Sequence, residues 1–249
     1  TPWIEAVFSC VEAKQWIPYG IADSGIQRQS AIIIAFNSLL ALPQSRFDVE
    51  TIIALLECPA IQHRFSLDDD KLTVIRSWLR ETHIHWGYSA EDKVSLDLPE
   101  SETYTWRAGL DRLLLGFAMP LANGREDWGL FNGKLGFDGI NGDSADTLAQ
   151  LCRFIEQCDR YRQRLTGSFT ALKWQQIGVS LIDDFFSSAS TEDDADCLLI
   201  SKTLALLVEA TDLAKFDQKM NVDLLKEWID DHCDSQQSQS RFMGQGVTF

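Results

Sequence analysis

The chain has 249 residues and a mass of 28.1 kDa, with 22 Lys and Arg against 37 Asp and Glu for a formal net charge of −15, and 45% of its residues are hydrophobic. That apolar fraction excludes intrinsic disorder, and 15 glycines with 6 prolines exclude a collagen-like chain. The acidic balance excludes a protein that coats nucleic acid by charge alone, because neutralising phosphates needs clustered Lys and Arg.

In chain order, the first element is Trp16-Ile17-Pro18-Tyr19-Gly20-Ile21, a short aromatic strand that Pro18 confines to an edge or irregular position. From there the helical period of 3.6 dominates, which predicts a mainly α fold with short strands at both ends. Ile32, Phe36, Leu39 and Leu40 form one apolar stripe, and Val49, Ile52, Ile53 and Leu56 form the next, entered from Asp48 and closed before Pro59. Leu72, Ile75 and Leu79 follow Asp68-Asp69-Asp70. Those carboxylates suit the positive start of a helix better than a cation site, since no ligands follow at EF-hand spacing. Trp106, Leu110, Leu113, Leu114 and Phe117 make the cleanest amphipathic helix, with Arg107, Asp111 and Arg112 off its stripe.

Residues 120–143 have no helical period and carry Asn123-Gly124, Asn132-Gly133 and Asn141-Gly142, pairs that supply the positive φ of tight turns. This long excursion reads as a cover over the Trp106 helix with a small hairpin, or else as a contact surface. Further helices are expected at Leu148, Leu151, Cys152, Ile155 and Cys158, and at Trp174, Ile177, Leu181 and Phe185, capped by Ser168 or Thr170. Another lies at Cys197, Ile200, Leu204, Leu207 and Val208, expected to be the most central, and a last one at Val222, Leu225 and Ile229. Gln- and Ser-rich Ser235 to Ser240 reads as a linker or exposed loop, and Gly246 to Phe249 as a second short strand.

The longest strongly apolar run, Ala31 to Ala35, is far short of the ~20 residues that span a bilayer, so no membrane partner is expected. The chain opens on Thr1-Pro2-Trp3 without Met or a signal peptide, and its last strand has nothing after it to pack on, which reads as a piece of a longer polypeptide. Cys10, Cys58, Cys152, Cys158, Cys197 and Cys233 include no Cys-x-x-Cys pair and read as reduced thiols of a cytoplasmic protein.

Motifs for chemistry are missing: no Gly-x-x-x-x-Gly-Lys-Ser/Thr phosphate loop, no Gly-x-Ser-x-Gly elbow and no His-Glu-x-x-His pair occurs in the sequence. His83 and His85 would share one face of a strand but lack a third metal ligand, and His232 and Cys233 diverge on a helix. Asp183-Asp184 and Glu192-Asp193-Asp194 read as solvated acids at helix ends rather than as an acid/base or two-metal site. No catalytic residue, metal or cofactor is therefore assigned. Aromatic and basic residues do interleave, the pattern of single-strand binding. Arg107 and Arg112 beside Trp106, Arg125 and Lys134 around Trp128, and Arg241 beside Phe242 are the candidate DNA contacts, although the Trp side chains themselves are expected to fill core.

Several words in the sequence resemble the RecC family, the gamma subunit of bacterial exodeoxyribonuclease V in the RecBCD helicase-nuclease complex. They are Ile17-Pro18-Tyr19-Gly20-Ile21-Ala22-Asp23, Leu42-Pro43-Gln44-Ser45-Arg46-Phe47, Leu55-Leu56-Glu57-Cys58-Pro59-Ala60-Ile61, Ile84-His85-Trp86-Gly87, Thr105 through Gly116, and Phe242 through Phe249. The run from Trp106 through Gly109, Leu110, Asp111, Leu113 and Leu114 to Gly116 is the most specific, and residues 120–240 carry few such words. The resemblance implies a helical insertion domain of a superfamily-one helicase-like protein that has lost its ATP-binding motifs. Residues 1–45 would then adjoin the motor-like core, 46–236 would form the helical insertion with the excursion at 120–143, and 237–249 would be a linker and a strand returning to the core.

By that resemblance the chain is a non-catalytic, DNA-guiding scaffold in a subunit of an ATP-dependent exodeoxyribonuclease, serving DNA unwinding, end resection and Chi-regulated break repair. Its partners would be the helicase-nuclease (beta) and helicase (alpha) subunits, with DNA in the full complex. The net charge favours a rival, a domain that docks those subunits without touching DNA. A free-standing enzyme using the Asp183 or Glu192 acids is the remaining alternative. Arg107 and Asp111, spaced i, i+4, are expected to pair for about 0.2–0.5 kcal/mol.

Overall fold

The computed structural model describes residues 19–20, 30–119, 131, 133–140, 142–188, 190–242 and 247–248. Side-chain caps mark several of the helix starts. Ser30 accepts hydrogen bonds from the backbone N–H groups of Ile32 (3.2 Å) and Ile33 (3.4 Å) and opens helix α1, Ala31–Leu40. Its hydroxyl also donates to Asp196, 2.5 Å away across the fold. A 3-10 turn at Leu42–Gln44 leads to α2, Val49–Leu56, capped by Asp48, and α3, Pro59–Phe65, starts on the proline that ended α2. Asp68 caps α4, Asp69–Glu81, with Asp69 and Asp70 in its first turn, as the acidic run predicts. A Ser89–Asp92 capping box opens the short α5, Ala90–Val94, and Thr105 caps α6, Trp106–Ala118.

The second half holds longer helices: α7, Ala145–Arg164; α8, Ala171–Phe185; α9, Thr191–Leu213; and α10, Val222–Phe242. Strands β1, Tyr19–Gly20, and β2, Val247–Thr248, pair in parallel, Tyr19 beside Val247. The fold is thus mainly α with a short strand near each end, as expected. Among the described residues no helix is long and apolar enough to cross a membrane.

The central helix is α7, which packs against α1, α4, α6 and the 3-10 turn. It buries Leu148, Leu151, Phe154, Ile155, Cys158 and Tyr161. The expectation that the Cys197 helix would be central is corrected: α9 buries only Ile200, Thr203, Leu204 and Leu207, while Leu198 and Leu213 are exposed. Its apolar residues are spread around the helix, and packing on α1, α8 and α10 leaves several of them at the surface. The α8–α9 contact is close, because a Cβ on Gly178 would lie 2.5 Å from the Leu204 side chain. Phe65, Phe154, Phe185 and Tyr161 form a chain of tilted and edge-to-face rings, 5.1 to 6.1 Å apart, that joins α3, α7 and α8.

Three further expectations are corrected. Residues 235–240 continue α10 to Phe242; Gln and Ser are tolerated in helices, and the sequence offers no Gly or Pro before Gly244 to stop one. Leu114 and Phe117 are 44% exposed, because the buried face of α6 narrows to Trp106, Gly109, Leu110, Leu113 and Gly116. Thr170 stands at the N-cap of α8 but makes no side-chain capping bond. Helix α1 lies against α2, α7, α9 and α10.

The narrowed stripe makes a paired prediction: Leu113→Ala should cost ~2–5 kcal/mol in urea unfolding while Leu114→Ala stays within about 0.5–1 kcal/mol. Equal losses would place both on the same face. Cys152 and Cys197 are each pushed up to about 11 by burial, with Glu156 and Asp193 adding to it, so at pH 8 on the order of one thiol in a thousand is thiolate. In a Cys10→Ala protein, disulfide-exchange labelling of both should be slow at pH 8 and quicken about tenfold per pH unit toward pH 11. Rapid labelling at pH 8 would contradict that burial.

Candidate functional site

Three of the sequence words quoted above fold onto one another. Phe47, at the end of the first, has a positive φ of 55° and is fully buried. Its carbonyl accepts the indole N–H of Trp106 (2.9 Å), and its ring meets those of Trp106 and Tyr88 edge-to-face at 6.2 and 6.1 Å. The carbonyl of Arg46 accepts from the Gly87 N–H (2.9 Å), and the carbonyl of Gly87 accepts from the Trp106 N–H (3.0 Å), so the 84–87 word bridges the other two. Gly109 gives Ile84 room, since a Cβ there would lie 2.2 Å from the Ile84 side chain.

Gly116 does the same for the turn-rich excursion: a Cβ on it would sit 1.9 Å from the Phe137 carbonyl oxygen. The Phe137 N–H donates to the Arg112 carbonyl (2.8 Å), and Phe131 and Lys134 close a two-residue hairpin turn through Gly133 at φ 76°. The described part of the excursion therefore covers α6, the plainer of the two readings. Trp106, Gly109, Leu110, Leu113 and Gly116 of the most specific word are packing residues; Leu114 is not.

Beside this interlock runs a groove of about 580 Å³ lined by Arg46, Arg76, Arg80, His85 and Trp86 together with the acids Asp48 and Glu50. A second hollow, of about 660 Å³, includes Arg80, His83, Arg112 and Leu135, so Arg80 borders both. Arg76 is paired with Glu57 (2.6 Å), and Asp48 is occupied in capping Thr51. Arg46 and Arg80 are exposed and have no ion-pair partner among the described residues. Trp86 is half-buried, and the Lys93 ammonium lies 5.6 Å from its ring centroid while donating to the Thr103 carbonyl. The groove thus offers two uncommitted guanidinium groups around an accessible indole.

The candidate contacts chosen from sequence are distributed differently. Arg112 donates to the carbonyls of Leu135 and Thr82, each at 3.3 Å, and so ties the excursion to α6 rather than facing outward. Lys134 pairs with Asp111, which replaces the expected Arg107–Asp111 pair; the excursion brings Lys134 from 23 residues away, a contact no local spacing reveals. Arg107 is exposed on α6 without an ion pair among the described residues. Arg125, with Trp128, lies outside the described residues, and Arg241 falls within α10 with its side chain outside them. Arg46 and Arg80 were missed; the signal was present in the Arg46-Phe47 word, where arginine precedes the anchor residue.

Asp184, Tyr161, His85 and His232 have structural partners. The Asp184 carboxylate accepts the Tyr161 hydroxyl (2.7 Å) and its carbonyl accepts from Gln157, which makes it a helix-end anchor. Burial, then the bond to Asp184, pushes the Tyr161 phenol well above its usual range. His85 meets the Tyr104 ring edge-on at 5.2 Å, and His232 stacks on Trp228 at 3.8 Å. Among the described residues no three His, Cys, Asp or Glu are placed to hold a metal ion.

Residues 29–237 match the family model described as the fourth domain of RecBCD enzyme subunit RecC. The chain is 30% identical over 243 residues to RecBCD enzyme subunit RecC of Escherichia coli (strain K12), which covers 98% of this chain and 21% of that protein. To the same-named protein of Haemophilus influenzae it is 25% identical over 252 residues, covering 100% and 21%, and to that of Mycolicibacterium smegmatis 27% over 163 residues, covering 66% and 15%. The chain spans about a fifth of the length of the first of these relatives.

The interlock is testable through its buried hydrogen bond. Trp106→Phe keeps the ring contact but leaves the Phe47 carbonyl without its donor, which should cost about 1–3 kcal/mol in urea unfolding. A loss below about 0.5 kcal/mol would show that the bond contributes nothing net.

Proposed function

The chain belongs to the RecC family, and from that premise we propose that it is a non-catalytic scaffold and DNA-guiding domain of a cytoplasmic, RecBCD-type DNA-end-processing enzyme. Its partners are then the helicase-nuclease and helicase subunits, and its larger setting is unwinding, end resection and Chi-regulated repair. In this reading residues 46–236 are the body of a helical insertion, and residues 1–45 and 237–249 connect it to a motor-like core. The parallel pairing of β1 with β2 favours that arrangement, because it brings the chain's entry and exit side by side as an insertion requires.

The observation that carries the proposal is the use of the family-like words. Trp106, Gly109, Leu113, Gly116 and Phe47 serve packing, as a rigid scaffold demands, while exposed Arg46 and half-buried Trp86 of those words line a groove with Arg80. Guanidinium groups suit phosphates and an indole suits a base, with stacking worth about 1–3 kcal/mol per base. The docking reading draws on a different observation, the net charge of −15, which opposes long-range approach of DNA.

The test uses the assembled enzyme carrying this subunit, with a labelled, partly single-stranded duplex followed by anisotropy across a salt series. Arg46→Ala with Arg80→Ala should weaken binding and lower the log–log salt slope by about one per arginine that neutralises a phosphate. An unchanged slope and affinity, with assembly intact, would assign the domain to docking.

A further inference from the structure

The solvent face of α7 carries Arg153, Arg160 and Arg164, all exposed. Steps of seven and four residues return to nearly the same heading on a helix, so the three stand in one row about 16 Å long. The Arg153 guanidinium lies 5.9 Å from the Phe65 ring centroid and that of Arg164 5.7 Å from the Tyr161 centroid, so both are laid on buried aromatic rings. Arg64 joins them from α3. Its Nε donates to the Asp184 carbonyl at 3.3 Å, the oxygen that also accepts the Gln157 amide at 3.2 Å, and Gln157 stands one turn from both Arg153 and Arg160.

None of these four arginines makes an ion pair among the described residues. The acids at hand are few. Asp146, at the far end of the stripe, is paired with Lys71, and the Asp184 carboxylate accepts the Tyr161 hydroxyl with exposed Asp183 beside it. Glu156, exposed one turn from Arg153 and Arg160, pairs with neither. The C-terminal dipole of α7 accounts for Arg164 in its last turn but not for Arg153, eleven residues earlier. Like charges a turn apart weaken a helix, so an unanswered row of them on a chain of net charge −15 calls for an anionic partner.

The face also selects the anion. A guanidinium meets a phosphate through two parallel N–H bonds, and each strand of a duplex carries one phosphate per about 3.4 Å of axis, so the row faces several at once. Phe65 and Tyr161 are buried beneath their arginines, unlike Trp86 in the Arg46–Arg80 groove, and leave a single strand no ring to stack its bases on. We propose that the Arg153–Arg160–Arg164 row, with Arg64 at its side, holds the phosphate backbone of duplex DNA, on a surface that shares no residue with that groove. The inference rests on the reading that the chain handles DNA within a larger enzyme.

The experiment uses the assembled enzyme carrying the complete subunit, with anisotropy of a labelled blunt duplex and of a labelled single strand across a salt series. Arg153→Gln, Arg160→Gln and Arg164→Gln together should weaken duplex binding about tenfold or more and lower its log–log salt slope by about two to three, at roughly 0.9 per phosphate, while single-strand binding and assembly keep their parent values. Arg160→Gln alone leaves both ring contacts in place and keeps the test open if the triple variant fails to fold; it should lower the duplex slope by about one. An unchanged duplex slope and affinity in these variants would overturn the row. Equal losses on duplex and single strand would overturn the duplex assignment, and weakened assembly with unchanged DNA binding by the assembled enzyme would identify an acidic protein partner and overturn the proposal as well. Arg46→Ala with Arg80→Ala, measured alongside, separates the two readings: silence of the row variants alone strikes this inference, and silence of both sets on both probes strikes the DNA-handling reading itself.

Discussion

Phe47 is the residue on which the family-like half of the fold depends. A non-glycine residue at a φ of 55° pays roughly 1–3 kcal/mol in backbone strain and persists only where its surroundings leave no alternative. Here the constraint comes from several directions: the indole N–H of Trp106 on its carbonyl, two edge-to-face rings, and the Arg162 guanidinium 5.5 Å from its ring centroid. Each ring pair contributes about 0.5–1.5 kcal/mol beyond area burial, so together with the buried hydrogen bond they outweigh the strain. The left-handed turn then aims the chain from the Leu42–Gln44 turn into α2 and sets Arg46 beside Trp86.

Arg162 links that knot to the central helix through charge. It bridges Asp92 and Asp159 at 2.7 Å each, with all three side chains mostly shielded from water. Burial alone would loosen the guanidinium's proton, yet the hydrogen bonds and charges of Asp159 and Asp92 win, and Arg162 holds it more tightly than usual. Asp92 also caps α5 by accepting from the Tyr88 and Ser89 N–H groups. One cation thereby fixes α5, α7 and the Phe47 ring relative to one another. Removing one member of a buried pair typically costs ~3–5 kcal/mol, whereas the exposed pair of Lys71 with Asp146 is screened by water and only nudges the Asp146 carboxyl below its usual range.

How legible this was from the sequence depends on whether the signal was local. The entry of α2 from Asp48 and the acidic start of α4 at Asp68-Asp69-Asp70 follow from local sequence, and both helices formed. The side on which Leu114 falls did not follow, because helical periodicity gives a face but not its width, and the width is set by how closely Phe137 approaches Gly116. The same long-range contact diverted Arg112 to carbonyl groups and gave Asp111 to Lys134 instead of Arg107. The fold gives Arg112 and Lys134 partners that proximity to tryptophans in the sequence does not reveal, and it also brings Arg46 and Arg80 to one groove. The absence of a helix stop before Gly244 was readable, but Gln/Ser composition suggested a loop where α10 continues.

Net charge and local charge answer different questions. A total of −15 governs long-range approach, but at physiological salt fields fade over about 8 Å, so what a phosphate or a carboxylate meets on contact is the nearest uncompensated group. Most described cations with a defined contact are already committed: Arg76 to Glu57, Lys71 to Asp146, Lys134 to Asp111, Arg162 to its two aspartates, and Arg112 and Lys93 to carbonyl oxygens. Arg46 and Arg80 have no such partner among the described residues and line one groove. An acidic domain arranged this way can repel nucleic acid over most of its surface and still hold it along one groove. On the proposed reading, the excess of carboxylates would confine a strand to that groove.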